Sequence, residues 1–412
     1  MMTNAREYAW SVLCRVMLEH GYASLMLRNM PQDLSRQDRG LVTELVYGTL
    51  RTWKLLEYQR KDLVKGPVRP RTAVLLNLSV YQILYLSRVP AYAAIDEACR
   101  LAPKRERGFV NAVLRRIAER KEVLPPEDGT LERLSIVTSH PLFVLNLWKA
   151  HYGEETAREI AFHNQLRPQI YGRLNTLKAE KKDIDCPKIH WLSETAFQYD
   201  GVLSETEWFQ EGLVLIQDYS SQMPAEFLDV HPGMRVLDVC AAPGTKTQQI
   251  ACLMEDQGEI TAMDLYQERT GLMDQLMERT GVHIVRTSTG DAAEVNRLHE
   301  PESFDRVLAD VPCSGLGDLS HKPEIRYHVT PESIDDLIRT QKAILHAAGQ
   351  MVKPGGILVY STCTLNRKEN EGQVQMFLKE NPAFSLIRER TVFPMMFDSD
   401  GFYMAALSKN AV

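Results

Sequence analysis

The sequence has little of what marks several protein classes. Only seven cysteines occur in 412 residues: Cys14, Cys99, Cys186, Cys240, Cys252, Cys313 and Cys363. The number is odd and the spacing irregular, which excludes a disulfide scaffold. No CxxC pair exists, so a zinc site is not expected and no metal is assigned. There is no GxGxxG and no Walker A loop, which argues against an NAD-linked dehydrogenase and a P-loop nucleotidase. Long apolar runs are missing too. The longest, Ala73 to Leu86, is too short to span a membrane and carries Asn77, Ser79 and Gln82. Arg6, Glu7 and Arg15 interrupt any signal-peptide core. Cytoplasmic residence with reduced thiols and no membrane partner is the expectation. Neither an internal repeat nor a low-complexity tract is present.

What is there is an ordinary globular composition, 44% hydrophobic and 25% charged, with a net charge of −6. A chain this long suggests two or three domains. The net charge hides an uneven distribution. Residues 1–130 hold 21 Lys and Arg against 14 Asp and Glu, a net of +7; the remainder holds 27 against 40, a net of −13. A basic module joined to an acidic body is implied.

The basic part reads as helical. Val12, Leu13, Val16 and Met17 fall on one face of a first helix. A second is expected from Ser35 to Leu63, opened by a Ser35/Asp38 capping pattern. Others follow at Thr72 to Leu86, Ile95 to Leu101 and Phe109 to Arg120. The stretch VLPPEDGTL, Val123 to Leu131, reads as a linker. Residues from about Ser135 to Gln198 are mixed, with helices starting near Pro141 and Glu154 and a strand-like piece at Ile170 to Leu174. Beyond Val202, strands alternate with helices. Strands are expected at Arg235–Cys240, Glu259–Asp264, Ile284–Ser288, Phe304–Val311, Gly356–Cys363 and Phe402–Ser408, with a long helix at Pro331–Val352 and another at Asn366–Lys379. Such βαβ alternation predicts a doubly wound, mostly parallel sheet that binds ligands at the carboxyl ends of its strands.

Candidate site residues cluster at those strand ends. Between the first of these strands and its helix lies Asp238-Val239-Cys240-Ala241-Ala242-Pro243-Gly244-Thr245-Lys246. Its small residues let the backbone approach a ligand, and helix-start amides can receive one. Alone, this loop reads equally well as an ordinary turn. Asp264 closes the next strand, where a carboxylate can accept from both hydroxyls of a ribose. Asp291 follows the third and can reach an adenine amino group. Each Asp taken singly could as well be a helix cap, but three such signals at successive strand ends favour a nucleoside cofactor.

Cys313 follows the fourth strand and Cys363 the fifth, so both thiols stand over one crevice. A buried cysteine is commonly a small hydrophobe, which suits Cys14, Cys99 and Cys252. A strand-end thiol beside Ser, Thr and Pro is a better nucleophile. The chemistry that needs one is methylation of a pyrimidine at carbon 5. Thiolate attack on carbon 6 makes carbon 5 nucleophilic, a carboxyl such as Asp310 assists at N3, and a second group helps remove the carbon-5 proton.

The stretches CAAPGTKT (Cys240 to Thr247), DVPCSGLG (Asp310 to Gly317), KPEIRY (Lys322 to Tyr327), LVYSTCT (Leu358 to Thr364) and KENEG (Lys368 to Gly372) resemble the RNA cytosine-5 methyltransferases of the NOL1/NOP2/Sun family. The likeness runs from about Ser139 to the C-terminal GFYMAAL. The stretches RGLVTELVYGTLR, LSVYQILYLSRVPAYAAIDEA and GFVNAVLRRI resemble a NusB-type helical RNA-binding domain. The resemblance implies an all-α NusB-like domain at 1–127, a small α+β connecting region at 128–200, and a Rossmann-like class I methyltransferase with a mostly parallel seven-stranded sheet at 201–412.

It also implies roles. Cys363 is the nucleophile, Cys313 the thiol that promotes product release, and Asp310 the cytosine contact near the cofactor. Cys240, Ala241, Ala242, Pro243, Gly244, Thr245 and Lys246, with Asp264, Asp291 and Asp310, would hold S-adenosylmethionine. Lys322 matches a basic position in the substrate cleft, and Arg105, Arg107, Arg115, Arg116 and Arg120 offer phosphate contacts. Thr245 departs from the family, which usually has glycine there. Members with this layout methylate one cytosine of bacterial 16S ribosomal RNA, so that RNA is the expected partner and a monomer the expected state. The same chemistry on transfer RNA or another ribosomal site is the neighbouring alternative. A noncatalytic RNA-binding assembly factor is the more distant one, and the intact Asp310, Cys313 and Cys363 weigh against it.

Overall fold

Helix after helix in the first part of the chain is set by apolar residues at threes and fours. The computed structural model describes residues 4–411, which form two compact units. The first comprises the chain up to Arg167 together with Leu319–Val329. Its helices include Ala5–Glu19, Arg36–Arg51, Trp53–Arg60, Pro70–Tyr85, Ala91–Leu101 and Arg107–Arg120. They bury Leu13, Val16, Leu45, Leu50, Leu56, Leu76, Val80, Leu114 and Ile117 in one core. Ser35 caps its helix as expected, its Oγ accepting from the Asp38 amide at 3.1 Å. Gly48 lets two helices touch: a Cβ there would fall 2.1 Å from the Tyr81 ring. The single helix expected over Ser35–Leu63 is two, broken at Thr52 (φ −110°, ψ 10°), whose hydroxyl donates back to Gly48 O.

The compact units draw boundaries differently from the expected lines at 127 and 200. Helices Leu131–Val137, Leu142–Tyr152 and Glu154–His163 belong with the N-terminal helices. The Lys54 amide donates to Ser139 Oγ at 3.1 Å and Lys54 Nζ to His140 O at 3.1 Å. Leu319–Val329 joins the same unit through Arg326, which is 1% exposed. Its guanidinium donates to the carbonyls of Arg51 (3.2 Å), Thr138 (3.1 Å), Asn164 (2.7 Å) and Leu319 (3.4 Å). Burial lowers its pKa to about 10, which leaves it charged at neutral pH.

The second unit, Pro168–Asp318 with Thr330–Val412, holds two sheets. A small antiparallel one comprises β1 (Tyr171–Leu174), β2 (Ile189–Trp191), β3 (Ala196–Tyr199) and β4 (Val214–Ile216) in the order β2-β3-β1-β4. It is stitched to the larger body. Asn175 Nδ2 donates to Gly212 O and Thr280 O, both at 2.8 Å.

The large sheet has seven strands: β5 (Arg235–Asp238), β6 (Glu259–Asp264), β7 (Val285–Thr289), β8 (Phe304–Asp310), β9 (Val352–Thr362), β10 (Phe384–Val392) and β11 (Phe402–Lys409). Their order is β10-β11-β9-β8-β5-β6-β7, parallel from β9 to β7, with β11 antiparallel to β9 and to β10. This is the expected mostly parallel, Rossmann-like sheet. The winding reverses between β5 and β8, which opens a crevice at their carboxyl ends. Val236, Leu237, Leu308, Leu358 and Val359 are fully buried, as strands covered on both faces require. Among the described residues no helix is long and apolar enough to cross a membrane.

Replacing Arg326 with Met should leave buried carbonyls without donors and cost about 1–3 kcal/mol or more. Urea denaturation of the variant checks this, and an unchanged midpoint would contradict it.

Candidate active site

Five neighbouring strands deliver the candidate residues to one edge of the sheet. β5 ends at Asp238 and passes into the loop Val239–Gly244, then into the helix Thr245–Leu253. Gly244 lies at φ +100°, a backbone that favours glycine, and no side chain caps the amides of the helix it opens. Those amides, set behind the small residues Ala241 and Ala242, suit a negatively polarised ligand group. Cys240 lines the same loop. Burial and the carboxylates of Asp238, Asp310 and Asp264 push its thiol well up, so it stays protonated.

Asp264 ends β6 with its side chain turned toward that loop. Oδ2 accepts from the Ala242 amide at 3.3 Å and Oδ1 from Arg269 Nη1 at 3.1 Å. Arg269 is half-exposed and Asp264 is buried. Asp291 is exposed just past β7, where it caps a short helix through the Ala293 amide at 2.9 Å. A buried carboxylate, uncapped helix amides and a neighbouring exposed carboxylate form a donor and acceptor set that fits a nucleoside cofactor.

Asp310 ends β8 in the centre of the crevice. Lys246 Nζ lies 2.8 Å from its Oδ2, and Ser361 Oγ donates to its Oδ1 at 2.7 Å. Burial works against the Lys246 ammonium, but the Asp310 carboxylate outweighs it and raises the lysine pKa. Lys246 also stands 5.3 Å from the centre of the Phe402 ring, a cation–π contact.

The two thiols are brought together as expected. Cys313 Sγ and Cys363 Sγ are 3.4 Å apart, each half-buried. Both are free, as are the other five cysteines. The hydrogen bond to Cys363 and burial push the Cys313 thiol well up, so it holds its proton. Lys322 is exposed and belongs to the first unit. The arginines also lie in the first unit. Arg105, Arg107, Arg115 and Arg116 are exposed and Arg120 is half-buried.

Sequence reasoning missed the residues behind the reactive ones. Gln341, Glu369 and Asn370 are buried and reach the loops that carry both thiols. The signal was present in KENEG, where three polar residues stand together just after a strand-end cysteine.

A carboxyl-end crevice with uncapped helix amides, a buried carboxylate and two adjacent thiols fits an S-adenosylmethionine-dependent methyltransferase. The family model for the 16S rRNA methyltransferase RsmB/F matches residues 225–408, and that for the NusB family matches residues 3–119. A probable ribosomal RNA small subunit methyltransferase B of Bacillus subtilis is 35% identical, over 99% of each chain. The crystal structure of PH0851 superposes with a TM-score of 0.82 at 24% identity, over 99% of this chain and 100% of that one, which shows the shared fold. NSun6 from Pyrococcus horikoshii, solved with SFG, superposes with a TM-score of 0.59 at 22% identity, over 65% of this chain and 98% of that one. The chain belongs to the RsmB/F family of methyltransferases and carries that family's NusB domain.

Asp238 provides a pH signature. It accepts from Thr247 Oγ1 at 2.8 Å, and burial pushes its pKa up to about 7. An unfolded aspartate titrates near ~3.9. Between those values the folded protein keeps a proton that the unfolded chain has lost, so stability falls as pH rises through that window. Asp238→Asn should therefore gain in melting temperature relative to the parent from about pH 4 to about pH 7. A constant difference across that range would contradict the assignment.

Proposed function

We propose that the protein methylates carbon 5 of one specific cytosine in 16S ribosomal RNA, through a covalent bond between Cys363 and carbon 6. The observation that carries this is the pair of thiols 3.4 Å apart at adjacent strand ends, beside the carboxylate of Asp310. A pure RNA-binding factor has no use for that arrangement.

Each residue has a chemical task. The Cys363 thiolate attacks carbon 6, and the ring electrons move so that carbon 5 becomes the nucleophile. Asp310, oriented by Lys246 and Ser361, meets the ring at N3. S-adenosylmethionine supplies an electrophilic methyl group to this site when bound. Cys313 then promotes loss of the carbon-5 proton, the double bond re-forms, and the Cys363 sulfur leaves carbon 6.

For the cofactor, we assign Cys240 to Lys246 and Asp310 to the methionine end, Asp264 to the ribose hydroxyls and Asp291 to the adenine. Thr245 puts a branched side chain where relatives usually have glycine. We also keep 1–127, 128–200 and 201–412 as the inherited modules, a reading supported by the matched spans 3–119 and 225–408. Arg105, Arg107, Arg115, Arg116, Arg120 and Lys322 are assigned to RNA contact on the strength of charge.

Cys363→Ala should abolish both turnover and any covalent RNA adduct on denaturing gels. Cys313→Ala should lose turnover yet accumulate the adduct, and exchanged phenotypes would reverse the two roles. Asp264→Ala should weaken S-adenosylmethionine binding about tenfold or more by calorimetry. Bisulfite sequencing of RNA from a strain lacking the gene tests the substrate: one 16S cytosine should lose its methyl group, and an unchanged 16S pattern would refute the assignment.

A further inference from the structure

Behind the two thiols lies a polar network with no part in the steps above. Glu369 is 0% exposed, and its carboxylate accepts four hydrogen bonds. The Ser314 amide (2.8 Å) and Gln341 Nε2 (3.0 Å) donate to Oε1, while Ser314 Oγ (2.6 Å) and Asn366 Nδ2 (2.8 Å) donate to Oε2. Gln341 Nε2 also donates to Pro312 O at 3.0 Å. Pro312 and Ser314 flank Cys313, so that cysteine is held from both sides.

The next residue does the same for the other thiol. Thr362 Oγ1 donates to Asn370 Oδ1 at 2.6 Å, and Asn370 Nδ2 donates to Thr364 O at 2.9 Å. Thr362 and Thr364 flank Cys363. The two brackets are joined. Because Ser314 Oγ spends its proton on Glu369, Thr364 Oγ1 must donate to Ser314 Oγ (2.7 Å) while accepting from the Leu316 amide (3.2 Å).

We infer that Glu369 and Asn370 are positioning residues that set the distance between the two thiols, Glu369 through the Cys313 loop and Asn370 through the Cys363 strand end. Only a carboxylate at 369 serves all four donors. An amide places N–H groups against at least one other N–H and breaks the link. The wall of hydrogen bonds acts on geometry, not on the cofactor loop, so its loss should reach the chemical step and spare cofactor binding. This inference rests on the two-thiol reading of the site.

The test uses the full chain and a readout that needs no RNA. Dibromobimane becomes fluorescent when two nearby thiolates each displace a bromide, and peptide mapping identifies the Cys313–Cys363 bridge. Glu369→Gln should slow bridging about tenfold or more and lower kcat about as much, with KM for S-adenosylmethionine unchanged. Ser314→Ala, which deletes one oxygen of the network, should slow both by about threefold or more and carries the test if Glu369→Gln does not fold. Variants with a native near-ultraviolet dichroism spectrum that bridge and turn over like the parent would overturn the inference. A parent that bridges its thiols but leaves cytosine unmethylated would refute the proposed reaction and leave the positioning role standing.

Discussion

The parallel pairing of β8 with β9 is the constraint on which the site depends. It runs in register up to Asp310 opposite Ser361 and is extended by the Val311 amide, which donates to Ser361 O at 3.0 Å. Because side chains alternate along strands, that register places the Asp310 carboxylate beside the Ser361 hydroxyl and sends the chain onward to a cysteine on each strand. A slip of one residue would turn the carboxylate to the opposite face and separate the sulfurs. The buried aliphatic rows of β8 and β9 hold the register, since sliding would move Leu358 and Val359 between two differently packed cores.

Charge in the crevice is arranged as two unlike carboxylates. Asp238 is fully enclosed, with a hydroxyl for a partner, and keeps its proton up to near neutrality. Asp310 stands farther out with a lysine 2.8 Å away. Lys246 pairs directly with Asp310 and acts on Asp238 only through space, where burial outweighs it.

Much of this was legible before any coordinates. β6 has the boundaries that the alternation implies, because it is bounded by turns and lies inside the sheet. The βα alternation placed the Asp238–Lys246 loop and the two thiols at strand ends, where the structure has them. What stayed hidden has physical reasons. The apolar period runs in phase across Thr52, so the break at that residue does not interrupt it. β10 carries Arg388, Glu389 and Arg390 on exposed positions at the edge of the sheet, and an edge strand shows no buried alternation. The helix expected from Asn366 starts only at Glu371, because Asn366, Glu369 and Asn370 spend their side chains on the cysteine loops. A turn built from long-range side-chain bonds has no periodic signature.

The segment Leu319–Val329 has a consequence for how such a protein can change. The helical unit finishes its interior with eleven residues encoded some 150 positions after its last helix. Arg326 and Tyr327 meet carbonyls there that nothing nearer in the chain supplies, Tyr327 donating to Leu50 O. A gene cut at one point cannot release this unit intact, and a foreign catalytic body grafted behind it would have to bring the same short strap. Separating the two parts therefore takes more than one cut in the chain.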